Sequence, residues 1–127
     1  MITLLLVSAD DALRRRLEDA LDDISLFVAA TDLEAIKQLR MVDIDVAVRP
    51  VTAGATAFSR FAEKARSASP RTVLVAVAVD DKTTEDADFV LDSEFHDRDV
   101  QSTLRQAFDK RNVVRELDGA RRGFRPP

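Results

Sequence analysis

The 127 residues are 46% hydrophobic and 33% charged, which is enough chain for one buried core, too little for two, and not the composition of a disordered segment. Without cysteine and with His96 as the only histidine, a disulfide framework and a thiolate zinc site are excluded. The net charge of −4 is uneven: residues 110–127 carry six basic and two acidic side chains, leaving the first 109 at −8, and an acidic body argues against nucleic-acid binding by that part of the chain.

The chain opens on an apolar run from Ile2 to Val7 that has no basic leader and is far shorter than the roughly 20 residues a bilayer requires. It predicts a strand rather than a signal peptide, and with it a cytoplasmic protein. Leu13, Leu17, Ala20 and Leu21 then fall on one helical stripe, with Arg14, Arg15, Arg16, Glu18 and Asp19 on the other side. Asp10 or Asp11 suits the cap of that helix. A second strand is predicted from Ile24 to Ala30. Thr31-Asp32-Leu33-Glu34 has the form of a capping box and opens a helix with Leu33, Ile36 and Leu39 inward.

A third strand follows over Ile44–Val48, and Pro50 and Gly54 mark a loop into a helix with Phe58, Phe61, Ala62 and Ala65 inward. Thr72–Val79 is continuous and β-branched rather than alternating, as expected of an interior parallel strand. A fifth strand is predicted at Phe89–Leu91. The last helix begins near Asp97 or Asp99, with Val100, Leu104, Ala107 and Phe108 on its inner side. Alternating strands and helices imply an α/β fold, a doubly wound, five-stranded parallel sheet.

Two intervals depart from that regularity. Asp80–Ala87 is short for a parallel crossover, so the fourth helix is expected to be shortened or missing, leaving one sheet face open to a partner. Past Phe108 no breaker occurs before Gly119, which predicts an extended last helix. The expected division is a body over 1–109 and a basic helical extension with a linker tail over 110–127. Ala107, Val114 and Leu117 have heptad-like spacing, with Lys110 between them.

No glycine-rich phosphate loop is present, which argues against nucleotide binding. Ser8 and Ser93 have no histidine nearby in sequence to serve as a base, which argues against hydrolase chemistry. His96, beside Asp97, reads as a surface or capping residue. Asp80 and Asp81 follow the fourth strand and read as solvated loop residues, or with Asp10 as a small acidic site.

Two strings carry a family likeness. Leu4-Leu5-Leu6-Val7-Ser8-Ala9-Asp10-Asp11, followed by Leu13 and Leu17, is similar to the first strand, acidic cluster and first helix of response-regulator receiver domains. Asp86-Ala87-Asp88-Phe89-Val90-Leu91-Asp92-Ser93-Glu94-Phe95 is similar to that family's Gly-Ala-Asp-Asp-Tyr-Leu-x-Lys-Pro-Phe segment. Over about residues 1–110 the chain resembles a receiver domain, and the resemblance implies the flavodoxin-like strand order 2-1-3-4-5.

The family's chemistry needs an acidic pair after the first strand, an acceptor aspartate ending the third, a hydroxyl after the fourth and a lysine after the fifth. Here the acidic pair falls on Ser8 and Ala9, with Asp10 the nearest carboxylate. The acceptor falls on Pro50, or on Arg49 if the register slips by one. The hydroxyl falls on Ala76 or Val77, and the lysine falls on Ser93 with Glu94 in place of the following proline. An aspartyl phosphate forms only where a metal offsets repulsion between carboxylate and phosphoryl group, and one carboxylate holds magnesium poorly.

The resemblance therefore implies a degenerate receiver, or pseudo-receiver, without catalysis, metal or cofactor. The expected function is a phosphorylation-independent signalling module, a regulatory domain of a two-component-type regulator or kinase that meets a kinase, regulator, output domain or second copy. The expected contact surface comprises Asp80, Asp81, Phe89, Val100, Leu104, Phe108, Arg111, Val114 and Leu117, with homodimerisation through the last helix. One alternative is a nucleic-acid-associated regulator using Arg115, Arg121, Arg122 and Arg125 of the tail. Another is a small-ligand or metal sensor built on Asp10 with Asp80 or Asp81.

Overall fold

The computed structural model describes residues 2–51, 55–78, 86–92 and 95–123, and of 55, 56, 78, 92 and 111–123 the backbone. The elements are β1 (Ile2–Val7), α1 (Asp11–Ala20), β2 (Ile24–Ala29), α2 (Asp32–Met41), β3 (Val46–Pro50), α3 (Ala55–Ala68), β4 (Val73–Ala78), β5 (Phe89–Asp92) and α4 (Asp97–Gly123). All strand pairs are parallel, in the order β2-β1-β3-β4-β5. The sheet is thus the five-stranded, flavodoxin-like arrangement that the receiver resemblance implies. Most of the interval expected to hold a shortened fourth helix lies outside the described residues, as do Asp80 and Asp81.

Strand alternation sends side chains to two separate cores. Leu4, Leu6, Val46, Val48, Val73, Val75 and Val77 meet α1 and α4 on one face. Leu5, Val7, Ala47, Leu74 and Ala76 meet α2 and α3 on the other. Leu4–Val7 of β1, Val46–Val48 of β3 and the whole of β4 are therefore apolar without alternation, which is why β4 reads as an unbroken run.

Polar side chains stitch the amino edge of this sheet. Asp45, buried just before β3, accepts from the Thr3 N–H at 2.8 Å, and Thr72, just before β4, donates its hydroxyl to the Ile44 carbonyl at 2.8 Å. Asp88, just before β5, accepts from the Leu74 N–H at 2.9 Å. In each case a side chain ahead of one strand satisfies a backbone group of a neighbouring strand or its approach.

Helix ends follow the capping chemistry. Asp10 is the N-cap of α1, its carboxylate accepting from the Ala12 N–H at 2.9 Å. Thr31 caps α2 through the Glu34 N–H at 3.2 Å, and the Glu34 carboxylate reaches back to the Ala30 N–H at 3.0 Å, one residue earlier than a strict capping box. At α4 the Asp99 carboxylate accepts from the His96 N–H at 3.1 Å, so His96 stands at the helix entrance.

Several expectations need correction. Leu33 does not point inward: it is 68% exposed, because the buried stripe of α2 is Ala35, Ile36 and Leu39, and Leu33 lies more than a quarter-turn off it. The third strand is Val46–Pro50, not Ile44–Val48; Ile44 is buried in the approach. Pro50 is tolerated at its end because successive amides alternate sides. Val51 donates to Val77 on the β4 side, so the missing Pro50 N–H faces β1, whose pairing stops at Val48. Val100 and Leu104 are fully enclosed core residues that fasten α4 to the sheet, and they cannot belong to a contact surface of the folded domain.

Candidate functional site at the carboxyl rim of the sheet

The carboxyl ends of β1 and β3 carry the positions where the resemblance places phosphoryl-transfer chemistry. Ser8 and Ala9 follow β1 directly. The Ser8 hydroxyl accepts from the Asp10 N–H at 3.0 Å, and Asp10 is occupied as the α1 cap. The β3–β4 register sets Arg49 opposite Ala76 and Pro50 opposite Val77, so the alternatives for acceptor and hydroxyl form two matched pairs. Ala76 and Val77 are both buried, on opposite faces of the sheet.

Arg49 dominates the rim. Its Nε donates to Asp32 Oδ1 at 2.8 Å, its Nη2 to Oδ2 at 3.1 Å and its Nη1 to the Pro50 carbonyl at 3.2 Å. The guanidinium carbon lies 5.7 Å from the Phe58 ring centroid and 5.4 Å from that of Phe61. The side chain is only 10% exposed, against 45% for Asp32. A nearly buried guanidinium is tolerable when its fork is matched by a carboxylate and its planar face lies over aromatic rings, and both conditions hold here.

The fold explains how Asp32 reaches this place. Thr31 ends the extended β2–α2 connection and caps the helix, which puts Asp32 in the first turn, beside the carboxyl end of β3. There the carboxylate also benefits from the positive helix terminus. Val7, Ser8, Ala9, Ala30, Thr31 and Pro50 close the rest of a small cleft of about 280 Å³ around the pair. The cleft therefore holds a neutralised ion pair.

On the opposite edge, β5 and the start of α4 form the other surface of interest. Phe89 is half-buried, and Lys110 Nζ lies 5.7 Å from its ring centroid while donating to Asp88 Oδ1 at 2.8 Å. Arg66 also approaches Asp88, at 3.7 Å. Val90 is 37% exposed; Phe108, expected on this surface, is partly exposed on the other side of α4, where it lines a pocket with Ile2, Leu21 and Ile24. Helix α4 runs without a break through residues 109 and 110. Ser93 and Glu94 lie outside the described residues, as do the side chains of Arg111, Val114 and Leu117.

Two contacts at this rim carried no signal in the sequence. Asp32 reads locally as part of a cap, and its partner is 17 residues away. Arg16, one of three adjacent arginines on the polar side of α1, stacks on Phe95 at 3.9 Å from the centroid and donates to the Phe95 carbonyl at 2.8 Å. That contact holds Phe95 against α1.

No protein-family profile matches the chain, and no curated protein matches it. Solved structures do match. A structure described as an adenylate cyclase from Rhodopirellula baltica superposes with a TM-score of 0.82 at 16% identity, covering 96% of this chain and 98% of that one. A CheY-like response regulator receiver domain from Methanospirillum hungatei gives 0.76 at 17% identity over 90% and 98%. The signal receiver domain of an HD domain-containing protein from Pseudomonas fluorescens gives 0.78 at 19% identity over 91% and 92%. At these identities the likeness is one of fold, and the chain has the receiver fold.

Proposed function

We propose that this receiver-fold chain is a signalling module that passes information through protein contacts and not through an aspartyl phosphate. The Arg49–Asp32 pair carries the reading. Where a receiver would present an acceptor carboxylate beside bound magnesium, this chain presents a guanidinium held in a bidentate clamp beside Pro50, Ser8 and Ala9. None of these groups is a carboxylate free to accept a phosphoryl group, since the Asp32 carboxylate is committed to Arg49.

The contact surface we assign is the β5–α4 edge, with Phe89 and Val90 as its apolar part and the Lys110–Asp88 pair beside them. A short edge strand and a partly exposed aromatic face suit association with a kinase, a regulator, an output domain or a second copy through α4. Fold neighbours described as a cyclase and as part of an HD domain-containing protein are consistent with a regulatory domain in a larger cytoplasmic system. Among the described residues no helix is long and apolar enough to cross a membrane.

The direct test is incubation with magnesium and acetyl phosphate followed by intact-mass measurement. The expected result is an unchanged mass. A stoichiometric, acid-labile phosphoryl adduct would overturn the proposal.

A further inference from the structure

A second surface lies on the α2–α3 side. A groove of about 570 Å³ runs between the two helices, with Leu33 and Ile36 contributing apolar surface and Lys37, Arg40, Arg60 and Lys64 along its sides. The four cations are exposed, and among the described residues none of them is ion-paired. The one carboxylate in the described lining, Asp32, is committed to Arg49. Lys37 and Arg40 are three apart on α2, and Arg60 and Lys64 are four apart on α3. Each helix therefore bears a like-charge pair on one face, an arrangement that weakens a helix by about 0.2–0.5 kcal/mol per pair.

An uncompensated cluster of this kind in a body of net charge −8 calls for an anionic partner. The apolar part narrows the class. Leu33 is 68% exposed at the groove, and a large aliphatic side chain in that setting gains only if a partner covers it with apolar surface. Nucleic acid fits less well. The one aromatic ring in the described lining, Phe61, is 2% exposed and offers no face for base stacking.

We infer that the α2–α3 groove is a docking site for an acidic, amphipathic helix of a partner protein, whose carboxylates meet Lys37, Arg40, Arg60 and Lys64 and whose aliphatic side chain covers Leu33. This surface lies across the sheet from α4, and the inference does not depend on how the carboxyl rim behaves toward phosphate. The groove adjoins that rim all the same: Asp32 lines both, and Phe61 lies under Arg49. A docked helix would sit beside the clamp.

The test uses the full chain and a capped synthetic peptide with Glu and Leu at helical spacing, followed by backbone amide NMR titration. The expected result is shift changes clustered on α2 and α3 around Leu33, Lys37, Arg40, Arg60 and Lys64. Binding should weaken by at least about tenfold in Arg40→Glu/Arg60→Glu, in Leu33→Ser and with the same peptide carrying Ser for Leu. These positions are exposed, and unchanged circular dichroism of each variant establishes that folding is not the cause.

Shift changes elsewhere, or none, would overturn the inference. So would equal binding of the Ser-for-Leu peptide or tighter binding of a uridine oligonucleotide, since either would make the groove a general anion site. Concentration-dependent self-association abolished by Arg40→Glu/Arg60→Glu would also overturn it, by assigning the groove to a second copy.

Discussion

Arg49 holds Asp32 through two parallel hydrogen bonds, 2.8 and 3.1 Å long, between residues that belong to different elements and to opposite ends of a crossover. The guanidinium is nearly buried and the carboxylate half-exposed, so the two partners are not equivalent. Removing the carboxylate strands a buried charge. Removing the guanidinium leaves a carboxylate that water can reach.

The first prediction is this asymmetry. Asp32→Ala should destabilise the fold by about 2–3 kcal/mol in urea denaturation, the range for a charged hydrogen-bonded group losing its partner. Arg49→Met, which keeps apolar volume over Phe58 and Phe61, should cost less. The double variant should resemble Arg49→Met more than the sum of the singles, giving a coupling of about 1–2 kcal/mol, discounted for the exposure of Asp32.

A second prediction concerns the amino edge of the sheet. Asp45→Ala removes the acceptor of the Thr3 N–H from a buried setting and should destabilise by about 2 kcal/mol, with faster hydrogen exchange at Thr3. Asp45→Asn keeps an acceptor oxygen and should recover part of the loss. Equal losses in the two variants would assign the effect to charge and not to the backbone contact.

Asp23 provides a third. It lies in the α1–β2 turn at φ 63°, in the left-handed region, and its carbonyl accepts from the Ile2 N–H at 3.3 Å. A β-branched residue tolerates this backbone poorly. Asp23→Val should lower stability by about 1–2 kcal/mol, whereas Asp23→Gly should stay within about 0.5 kcal/mol of the parent. Thermal melts of the two variants check the ordering.

The fourth asks what would build a metal site at the carboxyl rim. Pro50→Asp alone adds one carboxylate beside a committed Arg49 and should leave thermal stability indifferent to magnesium. Ser8→Asp/Ala9→Asp/Pro50→Asp gathers three, and binding should then raise stability by about 1 kcal/mol at magnesium about five times its Kd. A magnesium response in the single variant would show that one added carboxylate is enough.

How much of this was legible beforehand follows from the range of each interaction. The stripe of α1, the unbroken β4 run and the inward face of α3 are local patterns, and Leu13, Leu17, Val73–Val77, Phe58 and Ala62 are buried as their spacing predicts. Leu33 misled because apolar residues at i and i+3 are compatible with two neighbouring stripes, and Ala35, too small to weigh in a hydropathy pattern, decides between them. Arg49 was legible as one of the two positions, with Pro50, on which the resemblance lets the acceptor fall, but not as a clamp. Its partner is set by how α2 returns to the sheet, a property of the crossover and not of the residues around either side chain. The same holds for Asp45 and Asp88, acidic residues ahead of strands that read as turn residues until the neighbouring strand supplies an N–H.

Helix α4 spans 27 residues, about 40 Å at 1.5 Å per residue, and only its first half carries the described core residues Val100, Leu104 and Ala107. A continuous helix of this length converts sequence spacing into angle. Any reporter joined after Gly123 inherits a fixed azimuth relative to the sheet, and deleting one residue beyond Lys110 swings it by about 100° while moving it only about 1.5 Å. Orientation is therefore adjustable here almost independently of distance, a property that a loop in the same position would not provide.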